Sequence, residues 1–355
     1  MIVSRRQPGW RSQGGIRLIL MLLLALLPHA SLAAWTQATG TSGIRFISMA
    51  RIGTTLYAGA LAGGLYQSTD DGASWSTAFG TTFDTWTPYV VTQIGSILYV
   101  GGAKSGAAHL AYSTDAGSTW TDLTAWGAAT YIRDVKLLNG ATFVAARGSG
   151  VYRSTSNDGT GWTLSNTGMT AQSSPAKFAQ IGTDIFVADA SNNGTDGVFK
   201  SSDNGLTWTR VSAGLPSTGS AVSGLLNYNG ALLFAMGSSV WRSLDSGASW
   251  TQVYSGSSYD LVINNATLYL SGTPGISLYT STNGTAWTSQ PVAGITASYL
   301  QPGIVISGGK LVLSSGDGIW RETDPAPTYA LTITAPSNGS VASNTGGIAC
   351  GSACS

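Results

Sequence analysis

SSDNGLTW, residues 201–208, is one of four near-copies of a single phrase. The others are STDDGASW (68–75), STDAGSTW (113–120) and SLDSGASW (243–250). Two worn copies, STSNDGTGW and STNGTAW, end at Trp162 and Trp287. The shared pattern is Ser-x-Asp-x-Gly-x-Ser/Thr-Trp. An Asp carboxylate accepts N–H groups of its own turn. A Gly supplies the positive φ where the chain reverses. A Trp buries a large apolar area while keeping one N–H to satisfy. The phrase therefore reads as a stapled turn built on Asp70 and Trp75, Asp115 and Trp120, Asp203 and Trp208, and Asp245 and Trp250. A calcium loop is the competing reading, but an oxygen cage needs about 6–8 ligands and each copy offers one carboxylate or two.

The surroundings of the phrase repeat as well. A short apolar strand precedes it, as in GLYQSTD (64–70), GVYRSTS (150–156), GVFKSSD (197–203) and SVWRSLD (239–245). Before that strand lies a hairpin with a Gly- or Asn-containing turn, seven times in all, from RIGTTLYAG (51–59) to ISGGKLVLSSG (306–316). Short β-rich runs joined by such turns are a strong local hairpin signal. Another short strand follows the Trp, as in WTRVSAG (208–214). One unit is thus three strands, the turn and a fourth strand, and the tryptophans recur 37 to 46 residues apart. Four strands at that period predict the blade of a β-propeller.

The ends set the blade count. GIWRETD (318–324) supplies a third strand and Asp324, then meets Pro325 without a Trp or a fourth strand. AWTQATG (34–40) reads as a fourth strand with no blade before it, and Trp35 lies 40 residues before Trp75, in phase. The expectation is an all-β fold: seven four-stranded antiparallel blades over residues 34–324, closed by the N-terminal strand. Closure of this kind hides the edges an open sheet exposes.

The repeated phrase resembles the Asp box, or BNR repeat, of sialidases and their non-enzymatic relatives. That resemblance implies a propeller and leaves function open. Sialidases add an arginine triad, an Arg-Ile-Pro motif, a Tyr nucleophile paired with a Glu, and an Asp acid/base. Here GIRFIS (43–48) lacks the proline, and Glu322 is the only Glu. Asp-box xyloglucanases use aspartates alone, in a cleft between two propellers. Residues 34–324 read as one ring, and the candidate aspartates outside the boxes include Asp84, Asp134, Asp189 and Asp260. A Ser-His-Asp arrangement would have to use His109, which reads as lying in a Gly/Ala-rich loop, GGAKSGAAH. Over the whole ring the chain is similar to single seven-bladed BNR-like proteins. Those include photosystem II assembly factors, whose role calls for a basic patch that this sequence does not display.

Residues 1–33 read as a signal peptide. Arg5, Arg6, Arg11 and Arg17 precede an apolar run from Leu18 to Leu27, and Ser31-Leu32-Ala33 offers a cleavage site. Ten apolar residues are too few to span a bilayer, which takes about 20. Residues 325–330 read as a linker. Residues 331–355 resemble the start of a bacterial surface repeat of internalin B-repeat type, on Gly347, Ile348, Cys350, Gly351 and Cys354. Such repeats continue with further strands, so the segment reads as truncated at Ser355. Cys350 and Cys354, the only cysteines, are expected to pair as a disulfide in an exported chain.

Charged residues make up 9% of the chain, against about 25% in an average soluble protein. Beyond residue 33 there are 13 basic and 16 acidic residues, a net charge of −3. No basic stripe marks a nucleic-acid or anionic membrane surface. No metal site or cofactor is expected, and the ring is expected to be a monomer. Several joints between blades are aromatic. Trp86 and Tyr89 lie in one, Trp126, Tyr131, Arg133 and Asp134 in the next, Tyr259 and Asp260 in another, and Tyr299 in the last. Rings beside a few polar groups suit a glycan or peptide; packing between blades is the other use of the same rings. These joints follow fourth strands, so they are expected on the face opposite the boxes. The functional expectation is an exported, non-catalytic module that binds a protein or glycan, with an aspartate-based glycoside hydrolase as the alternative.

Overall fold

A computed structural model describes residues 34–323, apart from 157, 171–172, 191–196, 217–221, 273–275 and 298. The signal-peptide, linker and C-terminal-repeat expectations, with the Cys350–Cys354 pair, lie outside these residues. Every regular element among the described residues is a strand. The first is β1 (Ala34–Gln37). Then come β2 (Phe46–Ile52), β3 (Thr55–Ala60), β4 (Leu65–Ser68) and β5 (Ser76–Thr77), the first blade. β6 (Trp86–Ile94), β7 (Ile97–Lys104), β8 (Ala107–Ser113) and β9 (Thr121–Leu123) make the second. β10 (Tyr131–Leu138), β11 (Ala141–Arg147), β12 (Gly150–Ser154) and β13 (Thr163–Leu164) make the third. The fourth is β14 (Pro175–Ile181), β15 (Asp184–Asp189), β16 (Gly197–Ser201) and β17 (Thr209–Arg210). The fifth is β18 (Val222–Tyr228), β19 (Ala231–Met236), β20 (Ser239–Ser243) and β21 (Thr251–Ser255). The sixth is β22 (Asp260–Asn264), β23 (Thr267–Gly272), β24 (Ser277–Ser281) and β25 (Thr288–Gln290). β26 (Leu300–Ser307), β27 (Lys310–Ser315) and β28 (Gly318–Thr323) complete the chain.

They form seven four-stranded antiparallel sheets, and the last is ordered β1-β28-β27-β26. The N-terminal strand closes the ring as its phase indicated, pairing Ala34 with Thr323 and Gln37 with Trp320. Trp35 serves as the box tryptophan of this seventh blade. Its Nε1 donates to the Pro291 carbonyl at 3.3 Å, as Trp208 donates to Ser165 and Trp250 to Val211 at 2.8 Å each.

Second strands are largely buried, and Ala231–Met236 is buried at every residue. Each is covered on both faces by neighbouring blades, so it reads as a continuous apolar run rather than an alternating one. The core is accordingly divided into seven clusters, one at each joint between blades. Trp208 packs with Phe143 of the third blade and Phe178 of the fourth. Trp75 packs with Phe46 of the first blade and Val312 of the seventh.

The repeated turn has one geometry. In the copy at 201–208, the Ser201 hydroxyl donates to Asp203 Oδ1 at 2.7 Å and accepts the Gly205 N–H at 2.8 Å. Thr207 donates its N–H to Oδ1 at 2.9 Å and its hydroxyl to Oδ2 at 2.5 Å. Donation from Thr207 and Ser201 outweighs the upward push of burial and holds the Asp203 pKa at about 2. Asp115 and Asp245 stand at about 2 for the same reason. The turn needs two left-handed residues in succession, and only the second is Gly: Asn204 has φ 59° and Gly205 83°. At the first position Asp71, Ala116 and Ser246 carry the same strain, with φ of 56° each.

Chain direction then fixes the two faces. First strands run toward the face that carries the boxes and the first hairpin turns. The loops joining second to third strands, and the links between blades, lie on the other face. The aromatic joints are there, as expected from their place after fourth strands.

Candidate functional site

First strands line the central channel, and their opening residues form its mouth. In six blades a β-bulge interrupts the first strand at this level, between Phe46 and Ser48, Pro88 and Val90, Ile132 and Asp134, Pro175 and Lys177, Val222 and Gly224, and Leu300 and Ile304. An extra residue in one strand re-aims its side chain. In five of these blades the bulge brings residues to one open cavity of about 580 Å³, lined by Ile47, Tyr89, Arg133, Ser223, Gln301 and Pro302; in the fourth blade the bulged Ala176 is fully buried. Arg45, Lys177, Tyr259, Asp260 and Tyr299 complete its polar wall. A second space of about 300 Å³, sharing Tyr89, Lys177 and Asp260, continues it down the channel.

The wall holds three cations and one carboxylate. The Arg133 Nη2 crosses from the third blade to donate to the Val222 carbonyl of the fifth at 3.1 Å. Arg45 donates from Nε to Gln301 Oε1 at 3.0 Å and lies 5.8 Å from the Tyr299 ring centre. Tyr89 stacks on Tyr131 at 4.3 Å and 17°, and the Arg147 guanidinium covers Tyr131 at 5.1 Å. Among the described residues, none of Arg45, Arg133 and Lys177 has a carboxylate within 4.0 Å. Burial pushes the Arg133 pKa down from its ordinary value, and the Arg147 charge adds to that.

Asp260 and Asp134 hold equivalent positions. Each lies opposite the second-strand residue three beyond the one that pairs with the box serine, Ser271 and Ala145 respectively. Both reach forward to the next blade. Asp260 Oδ2 accepts the N–H groups of Gly303 at 2.9 Å and Ile304 at 3.1 Å. Asp134 Oδ2 accepts the Phe178 N–H at 2.9 Å, and Oδ1 accepts the Val135 N–H at 3.1 Å. They differ in setting. Asp134 is only 5% exposed, whereas Asp260 faces the cavity, where burial raises its pKa against the pull of Lys177 and the backbone donors.

Of the residues singled out from the sequence, Tyr89, Arg133, Tyr259, Asp260 and Tyr299 meet in the cavity. Tyr131 stands behind Tyr89, and Asp134 lies below, along the channel. Trp86 and Trp126 do not line the cavity. They are 3% and 2% exposed and fill the joints between blades. Trp86 packs edge-on to Phe83 and His109, and Trp126 to Tyr152 and Trp162. His109 sits on strand β8 instead of in a loop, with Nδ1 at 2.9 Å from Asp122. Arg45, Lys177 and Gln301 were not singled out. Aligned on the box register, Lys177 takes the position of Asp134 and Asp260, opposite Ala188, and that alignment is the signal that finds it; Arg45 lies just before the first blade's bulge and Gln301 within the seventh blade's. Among the described residues, no group of three or more His, Cys, Asp or Glu could hold a metal ion, and no helix is long and apolar enough to cross a membrane.

No family model and no curated protein matches the chain. Solved structures match its fold. YCF48 bound to D1 peptide is 16% identical with a TM-score of 0.62, over 84% of this chain and 99% of that one. The extracellular domain of the putative one-component system BT4673 from B. thetaiotaomicron is 14% identical, TM-score 0.62, over 82% of this chain and 40% of that one. A catalytically inactive virginiamycin B lyase from Staphylococcus aureus, with quinupristin, is 14% identical, TM-score 0.60, over 81% and 98%. Likeness at this identity establishes the seven-bladed propeller and nothing finer.

Proposed function

We propose that the chain is an exported, non-catalytic binding module of BNR/Asp-box type that takes a protein or glycan at the mouth of its central channel. One observation carries this reading: bulges in successive first strands deliver residues of several blades into a single cavity. That cavity is lined by aromatic rings, unpaired cations and hydrogen-bonding groups. Its volume, about 580 Å³, falls in the ~300–1,000 Å³ range of small-ligand sites. Neighbours with this fold include YCF48, bound to D1 peptide, and extracellular sensor domains, which is consistent with binding and export. The Arg-rich, Leu-rich N-terminal segment supports export independently. A glycan array and a peptide array, probed with the chain and with Tyr299→Ala, test it. Binding that the substitution removes is the expected result; binding unaffected by every cavity variant would move the site elsewhere.

A second reading, an aspartate-based glycoside hydrolase, rests on Asp260, whose raised pKa in a cavity suits an acid catalyst. Its equivalent, Asp134, is closed off beneath Phe178 with both oxygens engaged, so a second working carboxylate is lacking at that position. Turnover of an oligosaccharide that disappears in Asp260→Asn would promote this reading.

A further inference from the structure

Building on the channel-mouth reading, we propose that the cavity recognises an anionic glycan, with the carboxylate of a uronic-acid unit held by Arg133, Lys177 and Arg45. Three cations from three blades face one space in a chain that is only 9% charged. None has a carboxylate partner within 4.0 Å among the described residues. Arg133 and Lys177 are half-buried and Arg45 is exposed; a half-buried cation with no carboxylate in contact is costly, and an anion entering the cavity relieves that cost. Asp260 attracts Lys177 but pairs with none of the three cations within 4.0 Å, its Oδ2 being turned to the Gly303 and Ile304 amides. A planar guanidinium pairs well with a carboxylate. Arg133 is also anchored by its bond to the Val222 carbonyl, so little side-chain freedom is lost on binding.

The rest of the wall favours a sugar over an acidic peptide. Tyr89, Tyr259 and Tyr299 bring phenol groups to the cavity, which match a polyhydroxylated ligand, while Ser223 and Gln301 are buried and hydrogen-bonded within the wall. Tyrosine rings add flat apolar area for sugar C–H faces.

Titration calorimetry with tetragalacturonate, tetraguluronate and tetraglucuronate tests the proposal. Galactotetraose, methyl-esterified tetragalacturonate and hexaglutamate serve as comparisons. At least one uronate tetramer should bind, and lose about tenfold in affinity or more on esterification and in Lys177→Gln and Arg133→Gln. Affinity should also fall as salt rises from ~0.05 to ~0.5 M. Lys200→Gln, at a cation paired with Asp184 away from the cavity, should bind normally. Thermal melts check folding; if Arg133→Gln does not fold, Lys177→Gln and the salt series decide. Failure of all three uronates to bind at about 1 mM, or equal affinity for hexaglutamate, overturns the proposal. A neutral glycan or peptide that binds and is lost in Tyr299→Ala would retire the uronate while keeping the channel mouth as the site. Binding that no cavity variant alters would retire both.

Discussion

At the turn of residues 201–208, both oxygens of Asp203 are met by groups no more than four residues away. At the channel mouth, Arg133 bonds a carbonyl 89 residues on, in another blade, and the three cations belong to the first, third and fourth blades. The first arrangement recurs because a blade makes it alone. The second occurs once because it needs several blades, each departing from the repeat in its own way. In this ring, repetition encodes the scaffold and departures from repetition encode the site. Perturbing the two regions should therefore give different readouts: stability for the repeat, affinity for the departures.

The largest effect is expected at ring closure. Removing residues 34–40 deletes Trp35, itself worth ~3–5 kcal/mol as a buried aromatic, and leaves the β28 edge open to association. Thermal unfolding with light scattering should show a much lower midpoint or aggregation; a deletion that melts like the parent would remove the closure argument. Next come single joint tryptophans. Trp208→Ala and Trp86→Ala should each cost ~3–5 kcal/mol in denaturant unfolding, because both fill joints between blades. If Trp86→Ala instead weakens binding at unchanged stability, it belongs to the mouth after all.

Acid probes the turns more gently. Asp115, Asp203 and Asp245 have folded pKa values of about 2, below the ordinary value. Their contribution is fully present above about pH 4 and is lost as pH falls toward 2. A melting midpoint followed by circular dichroism should fall across that window. Replacing all three with Asn should flatten the acid side of the profile, since Asn283 already plays this part in the sixth blade, accepting the Thr285 and Ala286 N–H groups. An unchanged acid profile would show that the turns do not titrate as described. The smallest stability effect should come from Tyr299→Ala, within about 0.5 kcal/mol, although it should remove most ligand affinity. A large loss of stability there would blur the division between the two regions.

The same division explains what could be read in advance. Blade number, strand order, the stapled turns and the closing role of Trp35 were legible because each is written several times or follows from phase. The mouth was partly legible. Tyr89, Arg133, Tyr259, Asp260 and Tyr299 stood out as aromatic or charged residues at joints, and they do converge. Trp86 and Trp126 stood out for the same reason and proved to be packing, since composition alone does not say which way a ring points. Lys177 was hidden because its first strand, Pro175–Ile181, carries no aromatic cue before the bulge. The cavity depends on register, and register across blades appears only when strands are aligned in space.

The seventh blade takes one strand from the first residues of the ring and three from the last. Its closing contact, from the Thr323 hydroxyl to the Ala34 carbonyl, spans 289 residues. Chain-entropy cost grows only logarithmically, so closing this loop costs about 2 kcal/mol more than closing a blade-sized one. The larger consequence concerns time. Among the described strands β1 is made first and its partner β28 last, so β1 must wait, unpaired, through the synthesis of six complete blades. A ribosome releasing this chain from its N-terminus thus holds back ring closure until β28 emerges. Truncation before β28 would leave the first strand without its partner. A circular permutant that begins at the link before Phe46, with a short turn joining Thr323 to Ala34 and the new end just after β1, would start and finish on whole blades, and it should reach its native ring with less delay.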